Sequence, residues 1–315
     1  MFFSNFYRLI IPGGGTGGVT VYSSEQLRHT NAEIVYVDFS MASMKISQRR
    51  ARARKLKNII WIKSWIEDVK YLGLGLFNDL SCSGVLHHLK NPEIGLKTLK
   101  DQLTSKGGMD LMVYAQYGRS SVYHIQKLMK LINSDHRKIE NEIKNTNLTL
   151  NVLPKSNWFV LAPEASVNIY DHLKGDIGLY DLFLHKRDVA YSINTLFQWL
   201  GNAGLHFVDF DSTRRLFNLK LRRMKYFDKN VKIRISNSNL NYQLHIIEIL
   251  NGDVSKHQFY ASKIENSEAD VFDPSKVLPI YGNLQDFKQA ISNKKIFERL
   301  DSQMLFVINQ SKLYH

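Results

Sequence analysis

The residues best suited to chemistry gather near the front of the chain. Ile11-Pro12-Gly13-Gly14-Gly15-Thr16-Gly17-Gly18 follows a short apolar run, Tyr7 to Ile11, and opens a segment of helical character from Val19 to His29. Glycines let a chain turn sharply and let backbone approach a ligand closely, and the helix start beyond them offers N–H groups with no intrahelical partner. Asp38 closes the next apolar run, Ala32 to Val37, about 20 residues past the glycines. A carboxylate so placed can accept both ribose hydroxyls of an adenosine. Strand, glycines, helix, strand and acid in that order describe a nucleotide-binding unit rather than an ordinary tight turn.

The elements needed to position these groups are legible. Ser40 can cap a helix running through Lys57, Asn58 to Ile62 predicts a buried strand, and Leu74 to Cys82 is another apolar run. Pro92 suits the first turn of a helix reaching Leu103, and Lys106-Gly107-Gly108 predicts a turn into a strand from Met109 to Ala115. Strands alternating with helices imply an α/β fold: a doubly wound, mostly parallel Rossmann-like sheet with helices on both faces. The rhythm breaks after about residue 133: residues 134–150 are polar and asparagine-rich. Asp188 can cap a helix to Gly201, Leu205 to Phe210 and His257 to Ser262 predict strands, and 240–251 predicts a helix. The acidic stretch from Glu265 to Ser275 predicts a linker, followed by a helix near Leu284 to Leu300 and an apolar run from Met304 to Ile308. The division expected is 1–133, the nucleotide-binding domain; 134–264, a helical substrate region with the last sheet strands; and 265–315, a helical or mixed C-terminal extension.

Composition narrows the classes. A length of 315 residues with 44% hydrophobic content suffices for one large domain with a substantial extension. There is no apolar run of about 18 residues, so no membrane span is expected. The single cysteine, Cys82, excludes an internal disulfide and a multi-cysteine metal site, and the cytoplasm is the expected compartment. Asn147-Leu-Thr149 matches a glycosylation acceptor, expected to be incidental in a cytoplasmic chain. The net charge of +13 has two concentrated sources. Arg49 to Lys57 holds six basic residues, spread around most of a helix. The 214–234 stretch holds nine basic residues against one acid, Asp228, and suits either a solvated face or an RNA or other acidic partner.

The glycine loop does not choose its ligand. Gly13, Gly15 and Gly18 satisfy the dinucleotide spacing, whereas Gly13, Gly15 and Gly17 satisfy the spacing seen in methyltransferases. An NAD(P)-dependent oxidoreductase would also need a catalytic set. Tyr123 and Lys127 have the spacing used by short-chain dehydrogenases, but with 15 tyrosines in a lysine-rich chain roughly one such match arises by chance.

Phe77-Asn-Asp-Leu-Ser-Cys-Ser-Gly-Val-Leu-His-His-Leu-Lys-Asn-Pro92, taken with Leu103-Thr-Ser-Lys-Gly-Gly108 and Val35-Tyr-Val-Asp38-Phe-Ser, tips the choice. Here the chain resembles the class I S-adenosylmethionine-dependent methyltransferases, and most closely a bacterial-type subgroup often fused to tetratricopeptide repeats. Tyr114-Ala-Gln-Tyr-Gly-Arg119 and Asp181-Leu-Phe-Leu-His185-Lys-Arg-Asp188-Val-Ala-Tyr191-Ser extend the likeness over roughly 7–263. The resemblance implies a cofactor, S-adenosyl-L-methionine, and transfer of its methyl group to an acceptor that the sequence leaves unidentified. It implies that Gly13, Gly14, Gly15 and Gly17 line the amino-acid and ribose part of the cofactor, that Asp38 binds the ribose, and that Phe39 lies against the adenine. Ile66 would sit at the adenine edge, with Trp65 where an aspartate is usual. Ser83, Gly84 and Val85 would border the methyl-transfer pocket. Tyr114, Tyr117, His185 and Tyr191 are the catalytic candidates, with Arg119, Tyr180 and Arg187 as further acceptor-side residues. His87 and His88 read as packing at a strand end, because their spacing is wrong for a helical ligand pair and no carboxylate lies nearby in sequence. No metal is expected. Family members carry a segment before the first strand that covers the cofactor, while this chain reaches that strand almost at once. That departure and Trp65 keep open a second reading, an inactive methyltransferase-like interaction module.

Overall fold

A computed structural model describes residues 6–135, 138–161, 172–173, 175–210, 224–265 and 267. Seven strands form one sheet in the order β3-β2-β1-β4-β5-β7-β6. They are β1 (Arg8–Pro12), β2 (Glu33–Asp38), β3 (Ile59–Lys63), β4 (Phe77–Ser83), β5 (Leu103–Tyr114), β6 (His206–Phe210) and β7 (Lys256–Ser262). Strands β1 to β5 pair in parallel, and β7 runs antiparallel between β5 and β6. This is the doubly wound, mostly parallel sheet that the sequence predicts.

Side-chain alternation explains the layering. Ile10, Val35 and Val37 enter the main core with Leu96, Leu99 and Leu244. Leu9, Ile11 and Ile34 face the other way, with Leu27 and Ala32. A parallel sheet covered on both faces needs apolar residues at consecutive positions, and the Leu9-Ile-Ile11 run supplies them.

The helices of the front half are α1 (Gly18–Gln26), α2 (Met41–Ala53), α3 (Pro92–Asp101) and α4 (Ser120–Ile132). Ser40 caps α2 by accepting from Ser43 N, and Asn91 caps α3 with Pro92 in its first turn. Helix α2 stops at Ala53, short of the expected Lys57, because Lys55 turns to φ 57°. The middle of the chain supplies α5 (Ile139–Asn151), the single turns α6 (Trp158–Leu161) and α7 (Asp176–Leu179), and a π-helical turn at Tyr180–Leu184. Leu179, Leu182 and Phe183 pack on Val122, Ile125 and Met129 of α4 as a second, smaller core. Helices α8 (Ile193–Asn202), α9 (Lys229–Ser236) and α10 (Leu240–Asn251) complete the described part.

The polar 134–150 stretch contains most of helix α5, which buries one side chain, Thr146, and keeps its asparagines largely at the surface. Two expectations are corrected. Lys106-Gly107-Gly108 is not a turn before a strand but lies inside β5, at an irregularity where Phe77 faces Leu103 and Asp79 faces Gly108. Gly107 fits there because a Cβ would come within 3.0 Å of the Asn78 carbonyl oxygen. Asp188 does not cap the following helix. Ser192 does, in a capping box with Thr195, and Asp188 is left free to point elsewhere. The extension expected at 265–315 lies outside the described residues except for 265 and 267.

Asp79 gives the sheet a pH dependence. Burial raises its carboxyl to about 6, against the lowering pull of the Tyr7 hydroxyl and Gly108 N–H. A carboxyl raised in the folded state holds a proton that the unfolded chain has released. Its contribution to stability is therefore full below about pH 4 and is lost as pH rises through about 6. Relative to Asp79→Asn, the wild-type chain should lose about 2–3 kcal/mol of unfolding free energy between pH 4 and 7 in urea titrations. A difference that stays flat across that range contradicts this account.

Candidate active site

Helix α1 follows β1 and α3 follows β4, and β1 and β4 are adjacent parallel strands. Their connections leave in opposite directions, toward β2 and toward β5, so a crevice opens at the carboxyl ends of β1 and β4. The glycine loop, Asp38 and Ser83 to Val85 all stand at those ends.

The loop is shaped by close approach. Gly13, Gly15 and Gly17 have φ of 67°, 53° and 86°, where side chains are strained. A Cβ on Gly13 would lie 2.4 Å from Val85 Cγ2, and one on Gly14 would meet the Tyr36 ring at 2.4 Å. Gly13 N and Gly14 N both donate to Val37 O, which ties the turn to the end of β2. The Tyr36 hydroxyl donates to Gly15 O at 2.8 Å. Burial, and then the nearby Asp38, push that hydroxyl's pKa up and keep it a donor.

The Asp38 carboxylate sits at the centre. Its Oδ2 accepts from Gly15 N at 2.8 Å and its Oδ1 from Ser40 N at 2.7 Å. One side chain, 7% exposed, thus joins the glycine loop to the β2–α2 turn. Each oxygen keeps a further lone pair, so the carboxylate can still accept from a diol. Phe39 and Trp65 stack face to face beside it, with centroids 4.4 Å apart and planes within 4°. Both are more than half exposed and form an apolar wall at the crevice. Ile66, expected at an adenine edge, is 5% exposed and belongs to the main core. Ser83 is exposed, while Gly84 and Val85 are half-buried.

Beyond β4 a second group converges. His87 and His88 lie on a 3-10 turn, Leu86–His88. Tyr114 packs its ring 4.1 Å from His87, and the His185 ring lies tilted 3.9 Å from His88. The Arg119 guanidinium lies 3.6 Å from the centre of the Tyr114 ring and 3.7 Å from Asp188 Oδ2. The segment around Asp188 is laid along both strand ends: Val189 N donates to His87 O, and Tyr191 N to Tyr114 O. A carboxylate therefore does join the two histidines, contrary to the expectation from sequence spacing. Ligand atoms of His87, His88 and Asp188 lie within 4.8 Å of one another. Burial, then His88, Arg119 and His185, push His87 down to about 2, so its ring is neutral.

The four catalytic candidates do not share one place. Tyr114 and His185 stand in the histidine cluster. Tyr117 lies 6.1 Å, ring to ring, from His245. Tyr191 is 5% exposed and packs on Trp199 in the core. The sequence reads His87 and His88 as packing and Asp188 as a helix cap; the adjacency of the two histidines to the Ser-Gly-Val stretch was the available signal, and Asp188 had none.

Residues 12–109 match the family model described as a methyltransferase domain. An uncharacterized protein of Synechococcus is 25% identical over 275 residues, spanning 86% of this chain and 64% of its own length. Among solved structures, PKMT2 from Rickettsia typhi in complex with AdoHcy superposes with a TM-score of 0.61 at 12% identity, over 86% of this chain and 52% of that one. A second structure of PKMT2 from Rickettsia typhi gives a TM-score of 0.59 at 12% identity, over 84% of this chain and 51% of that one. This chain thus spans less than two thirds of the length of these relatives. The likeness establishes the fold, that of a class I methyltransferase.

Gly17 carries a prediction for the loop. A Cβ there would fall 1.9 Å from Ser47 Oγ on α2, in addition to the left-handed backbone strain. Gly17→Ala should cost at least ~1–2 kcal/mol, read as a lowered thermal midpoint. Adding Ser47→Gly should recover part of the loss by removing the clash; a double variant no better than additive argues against this contact.

Proposed function

We propose that this chain is an S-adenosylmethionine-dependent methyltransferase acting on an acceptor not yet identified. One observation carries the reading: the Asp38 carboxylate and the Gly13–Gly17 backbone meet at 2.8 Å at the switch point of the sheet. That arrangement suits a ribose diol on the carboxylate and an amino-acid tail over the glycines. The methyltransferase-domain match over 12–109 and the AdoHcy-bound Rickettsia relative support the choice of cofactor over NAD(P). Phe39 and Trp65 suit the adenine plane, Ser83, Gly84 and Val85 suit the methyl-transfer side, and Tyr114 and His185 suit the acceptor side.

The cofactor supplies an already electrophilic methyl group. What remains for the chain is to align an acceptor and keep out water, work that rests on positioning more than on acid–base chemistry. The subgroup often fused to tetratricopeptide repeats is the finer family reading. Cys82, a lone and buried thiol, suits a cytoplasmic setting. No helix among the described residues is long and apolar enough to cross a membrane.

Titration calorimetry with S-adenosylhomocysteine and with NAD tests the proposal. Binding of the first and not the second is expected, and Asp38→Ala should weaken it about 10–100-fold through lost charge-assisted hydrogen bonds. Circular dichroism separates this from unfolding, since Asp38 also holds Gly15 and Ser40. Binding of NAD alone would indicate an oxidoreductase, and silence with both ligands would favour the inactive interaction module.

For the basic 214–234 stretch we propose a contact with RNA. Arg214 to Arg223 lie outside the described residues, but Lys225, Lys229 and Arg234 are exposed on and before α9. RNA retention should fall steeply with added salt and drop further on charge reversal at Lys229 and Arg234, each lost phosphate contact lowering the salt slope by about 0.7–0.9. Retention unchanged by both treatments rejects the contact.

A further inference from the structure

Six buried polar atoms without hydrogen-bond partners belong to three neighbouring side chains plus Arg119. They are His87 Nδ1 and Nε2, His88 Nε2, Asp188 Oδ1, and Arg119 Nε and Nη2, the last in a long ion-pair contact with Asp188. His87 is 0% exposed, so water does not satisfy it from the surface. An orphaned buried polar atom has lost its hydration with nothing to replace it, and several in one place point to a ligand that completes them.

The hydrogen bonds around these atoms say which kind of ligand. His88 Nδ1 meets the Arg187 carbonyl at 2.8 Å. A carbonyl only accepts, so the proton sits on Nδ1 and Nε2 carries a bare lone pair. Asp188 is anchored through Oδ2, which accepts from Gln126 Nε2 at 3.0 Å and faces Arg119, leaving Oδ1 open. An imidazole held by a carbonyl on one nitrogen, and a carboxylate held on one oxygen, are the outer-shell supports that orient metal ligands. Two imidazoles and one carboxylate form a donor set suited to first-row divalent ions such as zinc or iron(II).

We propose that His87, His88 and Asp188 bind one first-row divalent transition-metal ion, leaving at least one coordination position open. The ligand atoms lie within 4.8 Å of one another. Bonds of roughly 2.0–2.1 Å to imidazole nitrogen place neighbouring ligand atoms about 3 Å apart. Small side-chain rotations close that gap. His87 stands two residues from Val85, whose side chain packs on Gly13, so the ion would hold an acceptor oxygen beside the cofactor crevice. That role rests on the methyl-transfer reading; the binding of the ion does not.

Cobalt(II) titration of the chelator-treated full chain, followed by its visible absorption, tests the site. One equivalent should saturate, with bands that zinc(II) bleaches by displacement. Asp188→Asn and His88→Asn should each weaken binding by more than about 100-fold, beyond what loss of an outer-shell partner causes. Absence of a saturable band in the wild-type chain, or wild-type affinity in both folded variants, overturns the proposal. S-adenosylhomocysteine binding in the same samples reports on the crevice independently, so failure of the metal site and failure of the methyltransferase reading are told apart.

Discussion

The Asp38 carboxylate, part-way between two backbone turns, is the interaction on which the crevice depends. It ends β2, accepts from Gly15 N and from Ser40 N, and so fixes the glycine loop relative to the start of α2. Both are charge-assisted hydrogen bonds to a carboxylate that is only 7% exposed, where screening by water is weak. Gly13, Gly15 and Gly17 hold left-handed backbone, and that strain persists only because surrounding contacts over-determine it. Val37 O, the Tyr36 hydroxyl and the Asp38 carboxylate, three consecutive residues of one strand, provide those contacts. The same carboxylate that organises the loop retains acceptor capacity toward a ribose, so scaffold and recognition use one group.

The acceptor side is built differently. His87 and His88 come from the end of β4, Tyr114 from the end of β5 and Asp188 from a segment that returns after the α5–α7 region. Backbone hydrogen bonds from Val189 to His87 O and from Tyr191 to Tyr114 O lay that returning segment across both strand ends. They deliver a carboxylate to two neutral imidazoles. Helix α4 and the Tyr180–Leu184 turn, packed through Leu182, Phe183 and Ile125, keep the segment in place from behind. The cofactor side thus depends on local sequence, and the opposite side on a long-range strap.

The sequence by itself determined the doubly wound sheet, the glycine loop with Asp38, the cap at Ser40 and Pro92 in the first turn of α3. These follow from short-range physics: strand alternation, positive-φ glycines, side chains that satisfy the first N–H groups of a helix. Local reading went astray where two local rules competed. Asp188 looked like a helix cap, but Ser192 with Thr195 makes a complete box four residues later. Lys106-Gly107-Gly108 looked like a turn, but the three lie inside β5, where Gly108 pairs with Asp79 of β4 and Ser262 of β7. Only the tertiary structure decided that Tyr191 is a core side chain, that Phe39 stacks on Trp65, and that Asp188 meets His87 and His88 across about a hundred residues of chain. Such meetings are set by how strands β4 and β5 share an edge with a returning loop, and no periodicity along the chain encodes which side chains that edge will bring face to face.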